Sequence, residues 1–452
     1  MENENKKIIS SGDLSKSELV DRIRSTRASH QMPAPESNLV LSEREKLIIE
    51  KWVSQGAKWE PHWAYISPLK IEENIHFKWN IDKFILLELE NKGLNISNEA
   101  PKEVLLRRLY FDLIGLPPTL AQINQFLQDK SDSAYENVVN KLLSSQAYGE
   151  RMASKWMDIA RYADTNGYQD DTERTMWPWR DWVIHAYNKN MPYDQFVTWQ
   201  LAGDLLPNAT KEQILATGFN RNHMITQEGG VIEEEYRVEY VADRTVTTAK
   251  TFMGLTVECA RCHDHKYDPV TLADYYRFLD AFNHVKETGR PGRQSVRVRV
   301  AAPFLELPTQ ENEKVIAEWS AKISAQRKVV DPIIKAERAK WEHAVRIDND
   351  SLDKKVRDLL AKEKLTEIEQ KTLSQQLLTH FNKVERPKLN GKLPELKKLD
   401  EFNRKLAEYK GEHLPRPMVM NDGQKRQTHI LDRGAYLSPL EPVSFATPSF
   451  LP

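Results

Sequence analysis

The sequence has little cysteine, little glycine, no excess charge of either sign and no long apolar run. Two cysteines in 452 residues exclude a small extracellular scaffold held together by disulfides. Because 65 Lys and Arg balance 66 Asp and Glu, the chain lacks the basic surface of a general nucleic-acid binder. No run reaches the roughly 18 consecutive apolar residues that a membrane helix needs. We therefore expect no nucleic-acid partner and no membrane span in this chain.

Only 17 glycines are present, which favours helices over an all-β fold punctuated by turns. Apolar and small residues recur at helical spacing from residue 78 to 285. The clearest example is a helix predicted over 233–255, followed directly by the two cysteines. Its buried face is predicted to carry Val238, Ala242, Thr245, Ala249, Phe252 and Thr256.

Beyond residue 285 the pattern changes twice. Residues 286–310 are predicted to contain a short β segment, because Val296, Val298 and Val300 alternate with arginine. Residues 311–412 are rich in Lys and Glu and carry two apolar stripes, which predicts a charged antiparallel helical hairpin. The predicted fold class is therefore mainly α, with a helical domain, a short β element and a charged helical hairpin in that order.

The two cysteines stand three residues apart and are followed directly by a histidine: Cys259, Cys262 and His263. This is the pattern for covalent haem attachment. Each thiol can form a thioether to one vinyl group of haem, and the imidazole can ligate the iron from the proximal side. The sequence thus predicts haem c as the cofactor, with all three residues in the binding site.

Two other interpretations of the cysteines remain open. A zinc ion could be held by both thiols together with two of His263, His265 and Asp268, although ligands packed so tightly strain a tetrahedral shell. A thioredoxin-like dithiol needs the pair at a helix N-terminus after a strand, whereas this pair follows a helix. A six-coordinate haem also needs a distal Met or His. The candidates are His265, His284, His223, Met224 and Met253.

Two further clusters could bind ligands. The loop from Asp164 to Asp171 is rich in carboxylates and could hold calcium, but its spacing differs from an EF-hand and favours a turn and capping cluster. Trp177, Trp179 and Trp182 could stack on a sugar ring, although core packing is the commoner use of tryptophan.

The stretch from Gly254 to Pro269 resembles the signature of the planctomycete-type cytochrome C proteins, specifically their second, cytochrome-like domain of unknown function. Further segments resemble the same domain in the same order, and together they cover about residues 78–285. These segments are Arg107–Pro118, Tyr148–Arg151, Arg161–Tyr168, Trp177–Trp182 and Gln200–Pro207.

The flanks resemble the same family. Residues 1–66 are similar to the C-terminal half of its cytochrome c domain, in which a Met-Pro turn supplies the distal iron ligand; this implies Met32 as such a ligand here. Residues 413–452 resemble the start of a truncated C-terminal domain. No signal peptide and no second Cys-x-x-Cys-His are present, so we expect the chain to be part of a larger multidomain protein.

The resemblance implies a haem-associated, exported protein. The leading hypothesis is a periplasmic or otherwise extracytoplasmic electron-transfer module that serves a redox partner protein or domain. The alternative is a metal-containing enzyme or binding domain that acts on extracellular polysaccharide, with zinc or calcium in place of haem. The sequence identifies no catalytic residue.

Overall fold

The computed structural model describes residues 7–60, 62–67, 81–290, 300–349, 352–389 and 392–451. The chain divides into two compact units, residues 1–96 and residues 97–450. The predicted mainly α fold class is confirmed, since helices dominate both units and the described strands form one small sheet. Within the described residues, no helix combines the length and apolar character needed to cross a bilayer.

The α-helices among the described residues of the first unit are α1 (Glu18–Arg24), α2 (Glu43–Ser54) and α3 (Ile81–Asn91). Helix α2 begins with a capping box, in which Ser42 and Glu45 satisfy each other's backbone N–H groups. Arg24 forms ion pairs with Glu43 and Glu50 and so links α1 to α2.

The first helices of the second unit pack around a small apolar core that includes Leu106 and Phe126, and the helices that follow surround an aromatic core. Trp156, Trp179, Trp182, Phe196 and Phe219 are buried in this core. The indole N–H of Trp179 donates to the Ala216 carbonyl at 2.9 Å, so this side chain is a core residue and is not available for stacking on a sugar. The helices are α4 (Lys102–Leu113), α5 (Leu120–Gln128), α6 (Ala134–Leu143), α7 (Gln146–Ile159), α8 (Trp177–Asn188), α9 (Tyr193–Ala202) and α10 (Lys211–Ala216).

Helix α11 (Glu233–Thr248) leads to the cysteines, as predicted. It continues as a π-helical segment, Ala249–Met253, and ends at Gly254, which adopts the left-handed conformation with φ 65°. Ala242, Thr245 and Ala249 of the predicted face are buried. Helix α12 (Leu272–Asp280) follows the cysteines and begins with a capping box between Thr271 and Asp274.

The charged region forms an antiparallel helical arm. Its outgoing helix, α13 (Gln310–Ile347), packs against α17 (Pro394–His413), and Gln326 Nε2 donates to the Glu395 carbonyl at 2.9 Å. The returning chain is interrupted, because three shorter helices precede α17. These are α14 (Lys354–Leu360), α15 (Glu367–His380) and α16 (Arg386–Leu389).

Strands β1 (Thr428–Leu431) and β2 (Pro439–Val443) form the antiparallel sheet, whose register shifts between His429 and Leu431. The Thr428 hydroxyl hydrogen-bonds to Asp280 at the end of α12, so the sheet packs beside the elements that flank the cysteines. The β segment predicted within 286–310 centres on residues 296–300, of which 296–299 lie outside the described residues.

Candidate functional site

The cysteines lie on a short 3₁₀ turn between α11 and α12, and we call residues 258–263 the cysteine turn. Val257 and Ala260 are buried and anchor this turn in a core that α12 also lines. Cys259 and Cys262 are exposed, free thiols on the opposite side. The fold therefore positions the two sulfurs through their apolar neighbours and leaves the sulfurs themselves accessible.

Two contacts hold the end of the cysteine turn. The Tyr276 hydroxyl of α12 donates to the Arg261 carbonyl at 2.9 Å. The Cys262 thiol donates to the Arg433 carbonyl at 3.3 Å, just after β1. A Cβ atom at Gly434 would come within 3.2 Å of Cys262 Sγ, and the Gly434 backbone has φ 76°, so a side chain is disfavoured there on both counts.

His263 is exposed, and its ring has a defined tautomer. Nδ1 lies 2.7 Å from the Asp264 carbonyl, which can only accept a hydrogen bond. Nδ1 therefore carries the proton, and Nε2 presents its lone pair. This is the arrangement in which a backbone carbonyl orients a metal-ligating imidazole.

His265 has the opposite arrangement. Its Nδ1 accepts the Asp268 backbone N–H at 2.8 Å, so the neutral ring carries its proton on Nε2 and offers that nitrogen as a donor. Ligation of iron through Nε2 of His265 would first require a change of tautomer.

The zinc interpretation receives no support from the described part of the chain, where no three His, Cys, Asp or Glu side chains converge to hold an ion. The Asp164–Asp171 loop closes on itself, since the Gly167 N–H donates to Asp171 and Asn166 donates to the Thr172 carbonyl. The Gly167 N–H lowers the pKa of Asp171. These contacts are typical of the turn and capping cluster favoured by the sequence.

The other predicted distal ligands are placed as follows. His223 is buried, with its ring stacked on Tyr240 at 4.5 Å between centroids and its Nε2 3.4 Å from Arg244. Burial lowers the pKa of His223 far below its usual value, so the ring is neutral. Met253 packs on the core beneath the cysteine turn, and Met32 is an exposed residue of the first unit.

The residues of the cysteine turn match the ligands that haem c requires. The donor set fits, because two free thiols and an imidazole with an available Nε2 follow one another on a single turn. A pocket of about 630 Å³ lies beside the turn, but Glu258 and Arg261 line it while the cysteines do not. The thiols thus face away from the pocket, toward solvent.

Sequence reasoning missed the residues of this pocket. Arg161, Lys250 and Tyr275 come from three separate elements and meet only in the folded unit. The one available signal was that Arg161 opens a segment that resembles the family.

A buried ionic cluster was also missed by sequence reasoning. We call it the Glu287 cluster, and it consists of Glu287, Arg221, Arg244, His223 and Tyr240. Both guanidinium groups pair with the Glu287 carboxylate, and all three charged side chains are almost fully buried. Burial raises the pKa of Glu287, but Arg244 and Arg221 outweigh burial and hold this pKa far below its usual range. No local spacing signals the cluster, since its members lie as far as 66 residues apart.

The fold and the turn define a mainly helical domain that presents an exposed Cys-x-x-Cys-His motif. Residues 80–287, which include this motif, match the model of the PSCyt2 family, described as a protein of unknown function (DUF1549). This confirms the predicted resemblance at the level of one cytochrome-associated domain of unknown function. No curated protein and no solved structure matches the chain.

Proposed function

We propose that this chain is an extracytoplasmic electron-transfer module that carries c-type haem on the cysteine turn. Cys259 and Cys262 would form the two thioethers, and His263 would ligate the iron through Nε2. The observation that supports this assignment is that one anchored turn presents two free thiols and an imidazole of the required tautomer.

The attachment step needs only what the turn provides and the haem itself. In attachment, each S–H bond would add across one vinyl double bond, with sulfur bonding to one vinyl carbon and the hydrogen passing to the other. No oxidant would be consumed, and both cysteines would have to be reduced, which agrees with the absence of a disulfide between them in the structure. When bound, the iron supplies one-electron redox chemistry.

The surroundings of the turn suit transfer to another protein. Because both thiols are exposed, a redox partner protein or domain could approach haem attached to them. The turn is anchored from beneath, since Val257 and Ala260 are buried and the Tyr276 hydroxyl donates to the Arg261 carbonyl. The turn would therefore keep its position as the iron changes charge.

Covalent haem on the purified chain tests this proposal. The full chain is expressed with an added export signal and a cytochrome c maturation system, then analysed by haem staining after denaturing electrophoresis and by intact mass. The wild type should carry one covalent haem, and a Cys259→Ser/Cys262→Ser variant should carry none. Folded, exported wild type without covalent haem would refute the proposal.

Variants at two histidines separate ligation from attachment. His263→Ala should leave covalent haem detectable but change the visible spectrum of the reduced protein, because the proximal ligand is lost. His429→Ala, at a histidine of β1, is the matched control and should leave the spectrum unchanged. Identical spectra for His263→Ala and wild type would remove His263 from the proposed site.

A further inference from the structure

The pocket beside the cysteine turn is a built cavity of about 630 Å³, a size typical of small-molecule sites. It lies between the end of α7, helix α11 with its π-helical segment, the cysteine turn and α12. Ile159, Ala242 and Val246 form its apolar walls. Its polar lining consists of Arg161, Glu239, Asp243, Thr247, Lys250, Thr251, Glu258, Arg261 and Tyr275.

The charged groups of this pocket are already paired with one another. Lys250 contacts Glu258 at 2.8 Å, and Arg261 pairs with Glu239 across the mouth. Arg161 contacts Asp243 at 2.6 Å. Each cation has its own anion, so the lining is neutral overall and offers N–H donors beside carboxylate acceptors.

Two side chains in the lining carry polar atoms that make no hydrogen bond within the described residues. Tyr275 is only 1% exposed, and within the described residues its hydroxyl makes no hydrogen bond. The Nε and Nη1 atoms of Arg161 are likewise buried without a hydrogen-bond acceptor there. Because buried polar groups in folded proteins are nearly always satisfied, these atoms indicate a missing partner in the cavity.

The backbone around the pocket is unusual in two places. Arg161 adopts φ 58°, a left-handed conformation that is strained for a residue with a side chain. Lys250 and Thr251 lie on the π-helical segment at the end of α11. Both features concentrate at functional sites, where the surrounding fold compensates for their energetic cost.

We propose that this pocket binds a neutral, polyhydroxylated small molecule, a sugar unit of a saccharide. Each sugar hydroxyl both donates and accepts, which suits a wall where carboxylates alternate with ammonium and guanidinium groups. The lining has as many cations as anions, so it offers an ionic ligand no excess counter-charge. The apolar walls suit the C–H faces of a sugar ring.

Ligand-observed NMR on the full chain, without haem, tests the proposal independently of the haem assignment. Saturation transfer is measured to glucose, galactose, mannose and N-acetylglucosamine and to the β-linked disaccharides cellobiose and chitobiose. Glucuronate and glucosamine are the charged counterparts. We expect transfer to at least one neutral sugar, exceeding that to its charged counterpart. Absence of transfer to every neutral sugar, or preferential binding of a charged one, would overturn the proposal.

Tyr275→Phe is the sharpest variant because it removes a hydroxyl that makes no hydrogen bond to any residue that the structure describes. It should fold with at least wild-type stability while weakening the sugar that binds by about three- to tenfold, the effect of one lost hydrogen bond. Tyr240→Phe is the matched control: its hydroxyl bonds within the protein and lies outside the pocket lining. It should lose stability and keep sugar binding. Unchanged affinity in Tyr275→Phe would refute this pocket as the site.

Discussion

The cysteine turn and the Glu287 cluster lie in the same unit, but their polar and reactive side chains differ in exposure to solvent. In the Glu287 cluster, one carboxylate and two guanidinium groups are sealed from water and bonded to one another. In the cysteine turn, the apolar residues are buried and both thiols are exposed. The charged residues of the Glu287 cluster thus contribute to the packed fold, whereas the two thiols remain accessible to a ligand.

This difference separates structural from functional chemistry within one domain. A buried ion pair is costly to assemble and its loss leaves an uncompensated charge, so its members are constrained by stability. An exposed thiol contributes little to folding, and its presence on an anchored turn needs another explanation. The variants below begin at the buried Glu287 cluster, where the largest effect on stability is expected, and end at the exposed cysteines, where the smallest is expected.

Glu287→Gln should have the largest effect. The substitution keeps the shape of the side chain but leaves Arg221 and Arg244 buried without a counter-charge, which should cost about 3–5 kcal/mol of unfolding free energy. Urea denaturation followed by circular dichroism measures the loss. Glu401→Gln, which breaks the exposed pair with Lys405 on the arm, is the control and should leave the unfolding free energy close to that of the wild type.

The pH dependence of the unfolding free energy, compared between the wild type and Glu287→Gln, sharpens this test. Since the pKa of Glu287 is held far below that of the unfolded chain, the folded state resists protonation. The stability that Glu287 contributes is therefore complete above its unfolded pKa of about 4.3 and declines as pH falls below that value. Glu287→Gln should lack this component. An equal acid dependence in both proteins would contradict the assignment.

The helices and the site were not equally predictable. The apolar face of α11 and the stripes of the arm follow local periodicity, so the sequence predicted them. The break before α17 follows from Pro394 in the sequence, but the packing of Leu373 and Leu399 into separate buried clusters is a tertiary feature that the sequence did not predict. The cysteine turn was predicted by its spacing alone. The Glu287 cluster and the pocket depend on residues brought together by folding, so no local pattern could reveal them.

Tyr240→Phe should have the next largest effect on stability, a loss of about 1–3 kcal/mol of unfolding free energy. Its hydroxyl accepts the Thr226 N–H and donates to the Gly289 carbonyl, both at 2.8 Å, so the substitution leaves two buried backbone groups without a partner. The same urea experiment measures it. A loss as large as that of Glu287→Gln would mean that hydrogen bonds, rather than the charge pairing, dominate this cluster.

Asp204→Asn should raise the unfolding free energy. Asp204 is half-buried, so its exposure lies between that of Glu287 and that of the two cysteines. Burial raises the pKa of Asp204 to about 6, and Asp422 adds to the shift. The charged form is thus disfavoured in the folded state, and at pH 7 the amide should stabilise the protein by about 1 kcal/mol after allowance for solvent screening. The gain should shrink as pH falls from 7 to about 4, where the unfolded carboxyl is protonated too.

The smallest effect on stability is expected for Cys259→Ser/Cys262→Ser, measured on the chain without haem. Both side chains are exposed. Among the described residues, the hydrogen bond that either sulfur makes is the weak one from Cys262 to the Arg433 carbonyl. The unfolding free energy should change by less than about 0.5 kcal/mol. Ala260→Ser, on the buried side of the same turn, is the control and should cost more, because it places a hydroxyl in an apolar core. If the double cysteine variant were the less stable of the two, the thiols would belong to the fold, and the contrast with the Glu287 cluster would disappear.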